Sequence, residues 1–138
     1  MGYTRYYNTN KSLTHFPKEF TDDVAAIIRA AGDKGIEVSG PLGAGDPEIS
    51  DSHVAFNGPA VAVNGVDLSY ETFAIGINGS ADWGFCKTGC QPYDIVVNAI
   101  LQSAKYHGVV TRYSSDGDNE EAAAAALLEA AGCGQRAA

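Results

Sequence analysis

Polar and apolar residues change their period repeatedly along the chain, and each change marks an element. Gly2–Asn8 is dense in Tyr and Thr, which suit a pleated, half-buried surface, and predicts a first strand. Pro17 then opens a helix in which Phe16, Phe20, Val24, Ile27 and Ala31 recur at steps of three and four, and Gly35 ends it. Ile36–Ser39 predicts a short strand, Gly40–Pro47 a loop, His53–Asn57 a strand, and the alternating Asp67–Ile77 another. Asn57-Gly58-Pro59 and Asn64-Gly65 supply turns between them, and Asn78–Gln91 reads as loop or irregular edge. Pro92 starts a second helix, with Ile95, Val96, Ala99, Ile100 and Ala104 on its apolar face and Gly108 as its stop. Val109–Tyr113 is a β-branched strand, Ser114–Asn119 a polar turn, and Glu120–Ala131 an alanine-rich helix with acids in its first turn.

This order predicts an α+β fold: one compact domain over residues 1–132, a mostly antiparallel sheet carrying about three helices on one face, and a flexible tail at 133–138. The sheet's other face would then be open to solvent, a ligand or a second copy, and Tyr3, Tyr6, Tyr7, Tyr70 and Phe73 fall within its strands. A homo-oligomer, with a dimer favoured, is expected on that ground.

Composition narrows the partners. With 9 basic and 17 acidic side chains in 138 residues the formal charge is −8, and no Lys/Arg cluster offsets it. A nucleic-acid polymer or an anionic membrane surface needs a positive field, so neither is expected. No apolar run reaches the ~18 residues of a membrane span, and the N-terminus lacks the apolar segment of a signal peptide, so a cytoplasmic protein is expected. Three cysteines fit reduced thiols in that compartment. Cys86 and Cys90 have no second Cys/His pair at ligand spacing, so neither a metal site nor a cofactor is expected.

Four segments concentrate polar and aromatic residues. On the first strand Tyr3, Arg5 and Tyr7 share a face, and a guanidinium between phenol rings suits a ligand both aromatic and anionic; packed rings with a snorkelled Arg are the alternative. In Tyr70-Glu71-Thr72-Phe73, Glu71 shares a face with Phe73 and could accept ribose hydroxyls or simply meet water. Lys87 and Thr88 precede the second helix, beside Tyr93 and Asp94, where free N–H groups favour a phosphate or are capped by Asp94 or Thr88. Ser115 and Asp116 lie in a turn that caps the third helix or reaches a ligand. His15, His53 and His107 share no motif, so no catalytic residue is assigned.

These segments resemble a family of small phage-encoded proteins. Its pattern runs G-Y-T-H-Y-W, G-P-L-G, F-N-G, H-E-T-F, F-C-K-T-x-x-x-P-Y-D and S-S-D-G, matched here by Gly2–Tyr7, Gly40–Gly43, Phe56–Gly58, Tyr70–Phe73, Phe85–Asp94 and Ser114–Gly117. Arg5 and Tyr70 replace its usual histidines and Tyr7 its tryptophan, which removes proton shuttles and favours binding over catalysis. Such proteins resemble in turn the anti-defence sponges, Sequestin and Lockin among them, that sequester nucleotide signals of Thoeris and CBASS immunity. The resemblance implies a cyclic or modified ADP-ribose or a cyclic oligonucleotide as ligand. Arg5 and Lys87 would hold phosphates, Tyr3, Tyr7 and Phe73 would stack, and Asn57, Glu71, Ser115 and Asp116 would take ribose or base edges, with Thr88 and Tyr93 alongside. The alternatives are a phosphodiesterase-like enzyme using His53 or Glu71, and an acidic inhibitor of a host protein.

Overall fold

The computed structural model describes residues 3–77, 84–117 and 121–136. They form an α+β domain with two three-stranded antiparallel sheets and three helices. The strands are β1 (Thr4–Thr9), β2 (Glu48–Ile49), β3 (His53–Phe56), β4 (Phe73–Gly76), β5 (Phe85–Lys87) and β6 (Val110–Ser115). The helices are α1 (Lys18–Asp33), α2 (Asp94–Tyr106) and α3 (Glu121–Ala130). One sheet has the order β5-β1-β6 and the other β2-β3-β4. The expected turn at 114–119 and the expected start of α3 lie partly outside the described residues.

Each helix follows its apolar pattern. α1 buries Phe20, Val24, Ile27 and Ala31 and ends where Gly35 takes a φ of 83°, letting the Ile36 N–H return to the Ala31 carbonyl at 2.8 Å. α2 is buried on nearly every side, packed against α1, α3 and β6, and ends at Gly108 with a φ of 74°. The two sheets meet through a run of rings: Phe73 lies 5.4 Å from Tyr7 and 5.2 Å from Phe56 between centroids, and the Tyr7 hydroxyl donates to the Ala74 carbonyl at 2.8 Å.

Several strands differ from expectation. Ile36–Ser39 contributes only an isolated bridge from Ser39 to Asn57. Of Asp67–Ile77 only Phe73–Gly76 is strand, because the preceding backbone is spent on turns and on Asn57. β5 arises within the segment expected to be loop or irregular edge, drawn in by the free edge of β1, and β2 forms where no strand was expected. The glycine of the Asn57-Gly58-Pro59 turn answers a close approach, since a Cβ there would lie 2.1 Å from the Leu68 carbonyl oxygen.

The expected flexible tail is corrected for residues 133–136, while 137–138 lie outside the described residues. Cys133 is buried, and Gly134–Arg136 forms a 3₁₀ turn. Arg136 Nε donates to Asp23 Oδ2 at 3.0 Å, an oxygen that also receives the Ser103 hydroxyl and His107 Nε2 at 2.8 Å each. Asp23 thereby ties α1, α2 and the C-terminal turn together. Burial opposes its charge, but the hydrogen bonds from His107, Ser103 and Arg136 outweigh burial and hold its carboxyl below the usual range.

A depressed folded pKa contributes stability that is present above the unfolded value, about 4, and is lost as pH falls through the folded value. Urea denaturation should therefore show Asp23→Ala losing about 2–4 kcal/mol at pH 7, as expected for stripping a buried hub of its acceptor. Asp23→Asn should lose less additional stability between pH 6 and pH 3 than the unaltered chain. An equal acid loss in both proteins would rule out Asp23 as a source of acid sensitivity.

Candidate functional site

The polar segments singled out in the sequence do converge, but on one another. β1 alternates from Arg5 onward, and the face carrying Arg5 and Tyr7 turns inward to α2, while Thr4 at the strand's start is also buried. Arg5 meets Asp94 in a forked pair, Nε to Oδ1 at 2.8 Å and Nη2 to Oδ2 at 2.9 Å, with both side chains 1% exposed. Thr88, also buried, donates its hydroxyl to Asp94 Oδ1 at 2.6 Å. Burial works against the guanidinium's charge, yet the hydrogen bond and charge of Asp94 prevail and raise its pKa above the ordinary value. The anion that a helix N-terminus favours is thus supplied by Asp94 itself. Arg5 and Thr88 are corrected from ligand-binding residues to parts of this internal pair.

The other expected contacts are structural in the same way. The Tyr3 hydroxyl donates to the Gly117 carbonyl at 2.9 Å, and Arg5 lies 5.3 Å from the Tyr3 ring centroid. Tyr7 and Phe73 are core residues, so neither ring is open to stack on a ligand. Tyr93 is buried and donates to the Glu71 carbonyl at 2.5 Å. Asn57 Nδ2 donates to the Tyr70 carbonyl, and its Oδ1 accepts the N–H groups of Gly58 and Tyr70. Glu71 Oε1 accepts the Lys87 N–H at 2.8 Å. The Ser115 hydroxyl turns onto the Gly117 carbonyl, and Asp116 accepts the Thr4 N–H and the Tyr6 hydroxyl, each at 2.9 Å. Of the expected ligand-binding residues, two charged side chains are exposed, Lys87 on the sheet's outer face and Asp116 beside the Tyr6 hydroxyl.

That outer face carries side chains the sequence reading passed over. Tyr6 pairs across β1 and β5 with Phe85, and the two residues are 43% and 38% exposed. Lys87 stands beside Thr4 at one end, and Arg112 pairs with Asn8 at the other. Neither cation forms an ion pair among the described residues. Strand geometry separates their Cα positions by ~16 Å diagonally across the face. A shallow recess of about 140 Å³ opens between Tyr6, Asn8, Arg112 and Ser114. The hydrogen bond to Asp116 fixes the Tyr6 phenol and raises its pKa.

Two larger depressions lie elsewhere. A groove of about 780 Å³ runs between Ile28, Ile36, Val38, Pro59 and Val61, and its carboxylate, Glu37, is tied to the Val63 N–H. A recess of about 350 Å³ sits on the second sheet beside His53. Among the described residues no cluster of three or more His, Cys, Asp and Glu side chains could hold a metal ion, and no helix is long and apolar enough to cross a membrane. No family model matches the chain, and it matches no curated protein and no solved structure.

Two outcomes test this arrangement. Asp94→Ala removes the forked carboxylate from the buried Arg5 guanidinium and should cost about 3–5 kcal/mol by urea denaturation, while Arg5→Met with Asp94→Leu should recover much of that loss. Equal losses in the single and double variants would show that the pair does not hold β1 to α2. Burial raises the Cys86 thiol to about 12 and Cys133 to about 11, whereas Cys90 is exposed. Ellman's reagent should titrate one thiol rapidly in the folded protein and the other two only on unfolding; Cys90→Ser should abolish the fast phase.

Proposed function

We propose that this protein binds a nucleotide-class ligand on the outer face of the β5-β1-β6 sheet and sequesters it, acting as a phage anti-defence sponge for a host immune signal. The observation that carries the reading is the exposed Tyr6–Phe85 pair between two cations. Aromatic side chains on an open sheet stack with bases of any sequence, and flanking Lys or Arg side chains take phosphates. A spacing of ~16 Å between cation-bearing Cα positions suits a ligand with more than one phosphate, such as a modified ADP-ribose or a cyclic oligonucleotide. The net charge of −8 opposes such a ligand at long range, but screening beyond ~8–10 Å leaves the local cations to decide.

Retention is favoured over cleavage because the residues a cleaving activity was expected to use are apart. His53 pairs with Gly76 at one end of β3, while Glu71 precedes Phe73, the partner of Phe56 at the other end. That is ~10 Å of strand between His53 and Phe56, and Glu71 lies two residues before Phe56's partner, Phe73. Glu71 is moreover engaged by the Lys87 N–H.

Calorimetry with ADP-ribose and with a cyclic dinucleotide should show binding that weakens with salt. Tyr6→Ala and Phe85→Ala should each reduce affinity about tenfold or more, the worth of one stacked base, and Arg112→Glu should reduce it further. Denaturing the complex should return the ligand intact. No heat with either compound, or full affinity in the Tyr6→Ala variant, would overturn the assignment.

A further inference from the structure

β6 leaves a regular sheet edge open. On the β5 side of β1 the Tyr7 N–H donates to the Gly84 carbonyl and the Thr88 N–H to the Tyr3 carbonyl, each at 2.9 Å, so the odd-numbered residues of β1 serve β5. Its even-numbered residues serve β6, where the Asp116 N–H donates to the Thr4 carbonyl at 3.1 Å. Arg112, Ser114 and Asp116 therefore turn their backbone groups toward β1, and Tyr113 and Ser115 turn theirs to the sheet's edge. Nothing among the described residues bonds them there. No residue of 111–116 is buried. The other edges are short or engaged: the Glu71 N–H donates to the Lys87 carbonyl of β5 at 3.1 Å, the Ala74 carbonyl of β4 accepts the Tyr7 hydroxyl, and β2 has two residues.

This edge is complementary to itself. Thr111 has no partner in the β1 register, so the regular stretch runs Arg112-Tyr113-Ser114-Ser115-Asp116, a cation at one end, an acid at the other and a small residue between. A two-fold axis through Ser114 sets each of these residues opposite its complement in a second copy. Tyr113 and Ser115 then exchange both of their N–H···O bonds across the axis. Ser114 meets its own counterpart with Cα atoms about 4.5 Å apart, a spacing that small side chains tolerate. Arg112 comes opposite Asp116 on the outer face, where the Tyr6 hydroxyl already holds Asp116 at 2.9 Å. Opposite charges directly across an antiparallel pair are stabilising, and symmetry forms both pairs at once. A carboxylate offers about four acceptor sites, so the Thr4 N–H and the Tyr6 hydroxyl leave room for the guanidinium. We propose that two copies of this chain associate edge to edge through residues 112–116, forming a continuous antiparallel sheet of order β5-β1-β6-β6-β1-β5. The charge of −8 on each copy opposes association at long range, but screening beyond ~8–10 Å leaves the edge to decide.

Sedimentation equilibrium of the full chain, run without a ligand so that its outcome is separate from the nucleotide reading, tests this. The mass should rise with concentration toward twice 14.4 kDa, and the Tyr113 and Ser115 amides should gain protection from hydrogen exchange as it does. Ser115→Pro removes an edge N–H where a strand tolerates proline, and should leave a monomer that is folded by circular dichroism. Arg112→Glu and Asp116→Lys should each weaken association about tenfold or more, because like charges then meet across the axis. An equimolar mixture of those two variants restores both charge pairs and should dimerise as the unaltered chain does. If a variant fails to fold, the concentration-dependent protection of Tyr113 and Ser115 in the unaltered chain decides. A monomer at millimolar concentration, a dimer that Ser115→Pro and Arg112→Glu leave intact, or a mixture of folded charge variants no tighter than either alone would overturn the proposal.

Discussion

The forked pair between Arg5 and Asp94 is the constraint on which the fold's arrangement depends. Two charges removed from water are tolerated only with good geometry and further hydrogen bonds, and here the fork and the Thr88 hydroxyl supply both. The pair joins the middle of one sheet to the first turn of the most buried helix. It also specifies register. A slip of β1 by one residue would turn Arg5 to solvent, strand Asp94 in the interior and drive Tyr6 inward. The hydrophobic core is insensitive to such detail, whereas an unpaired buried charge is not.

From that pair follows the division of the sheet's two faces. The inner one takes Arg5, Tyr7 and Cys86 and closes over them with α2, and the polar groups at its border bind one another through Tyr3, Asp116 and Gly117. The outer one keeps the side chains left over: two rings, two cations and small polar groups. Apart from the Tyr6 hydroxyl, which Asp116 holds, these are the side chains that the packing against α2 does not use.

The two open sheet faces also differ in kind. The first bears Lys87 at one end and Arg112 at the other, with a shallow recess beside Arg112. The second carries a half-open recess of about 350 Å³ between Pro41, Leu42, Ala74 and the neighbouring His53 and Glu48 side chains. The Phe73 ring and the Tyr7 hydroxyl couple the two sheets.

Local pattern settles much of this protein. The spacing of Phe20, Val24 and Ile27, the stops at Gly35 and Gly108, and the alternation of β1 follow from bond geometry and hydrophobic period, and with them the α+β class. The same local rules make Tyr3, Arg5, Thr88 and Asp116 neighbours in chemistry without saying whether they face a ligand or each other. Alternation assigns Arg5 and Tyr6 to opposite faces but is symmetric about which is inside. The docking of α2 breaks that symmetry, because Asp94 brings to β1 a forked carboxylate that makes a buried guanidinium stable. β5 and the C-terminal turn were illegible for the same reason: a three-residue strand and a short tail have too little pattern of their own and are ordered by the edge of β1 and by Asp23, both contributed from far along the chain.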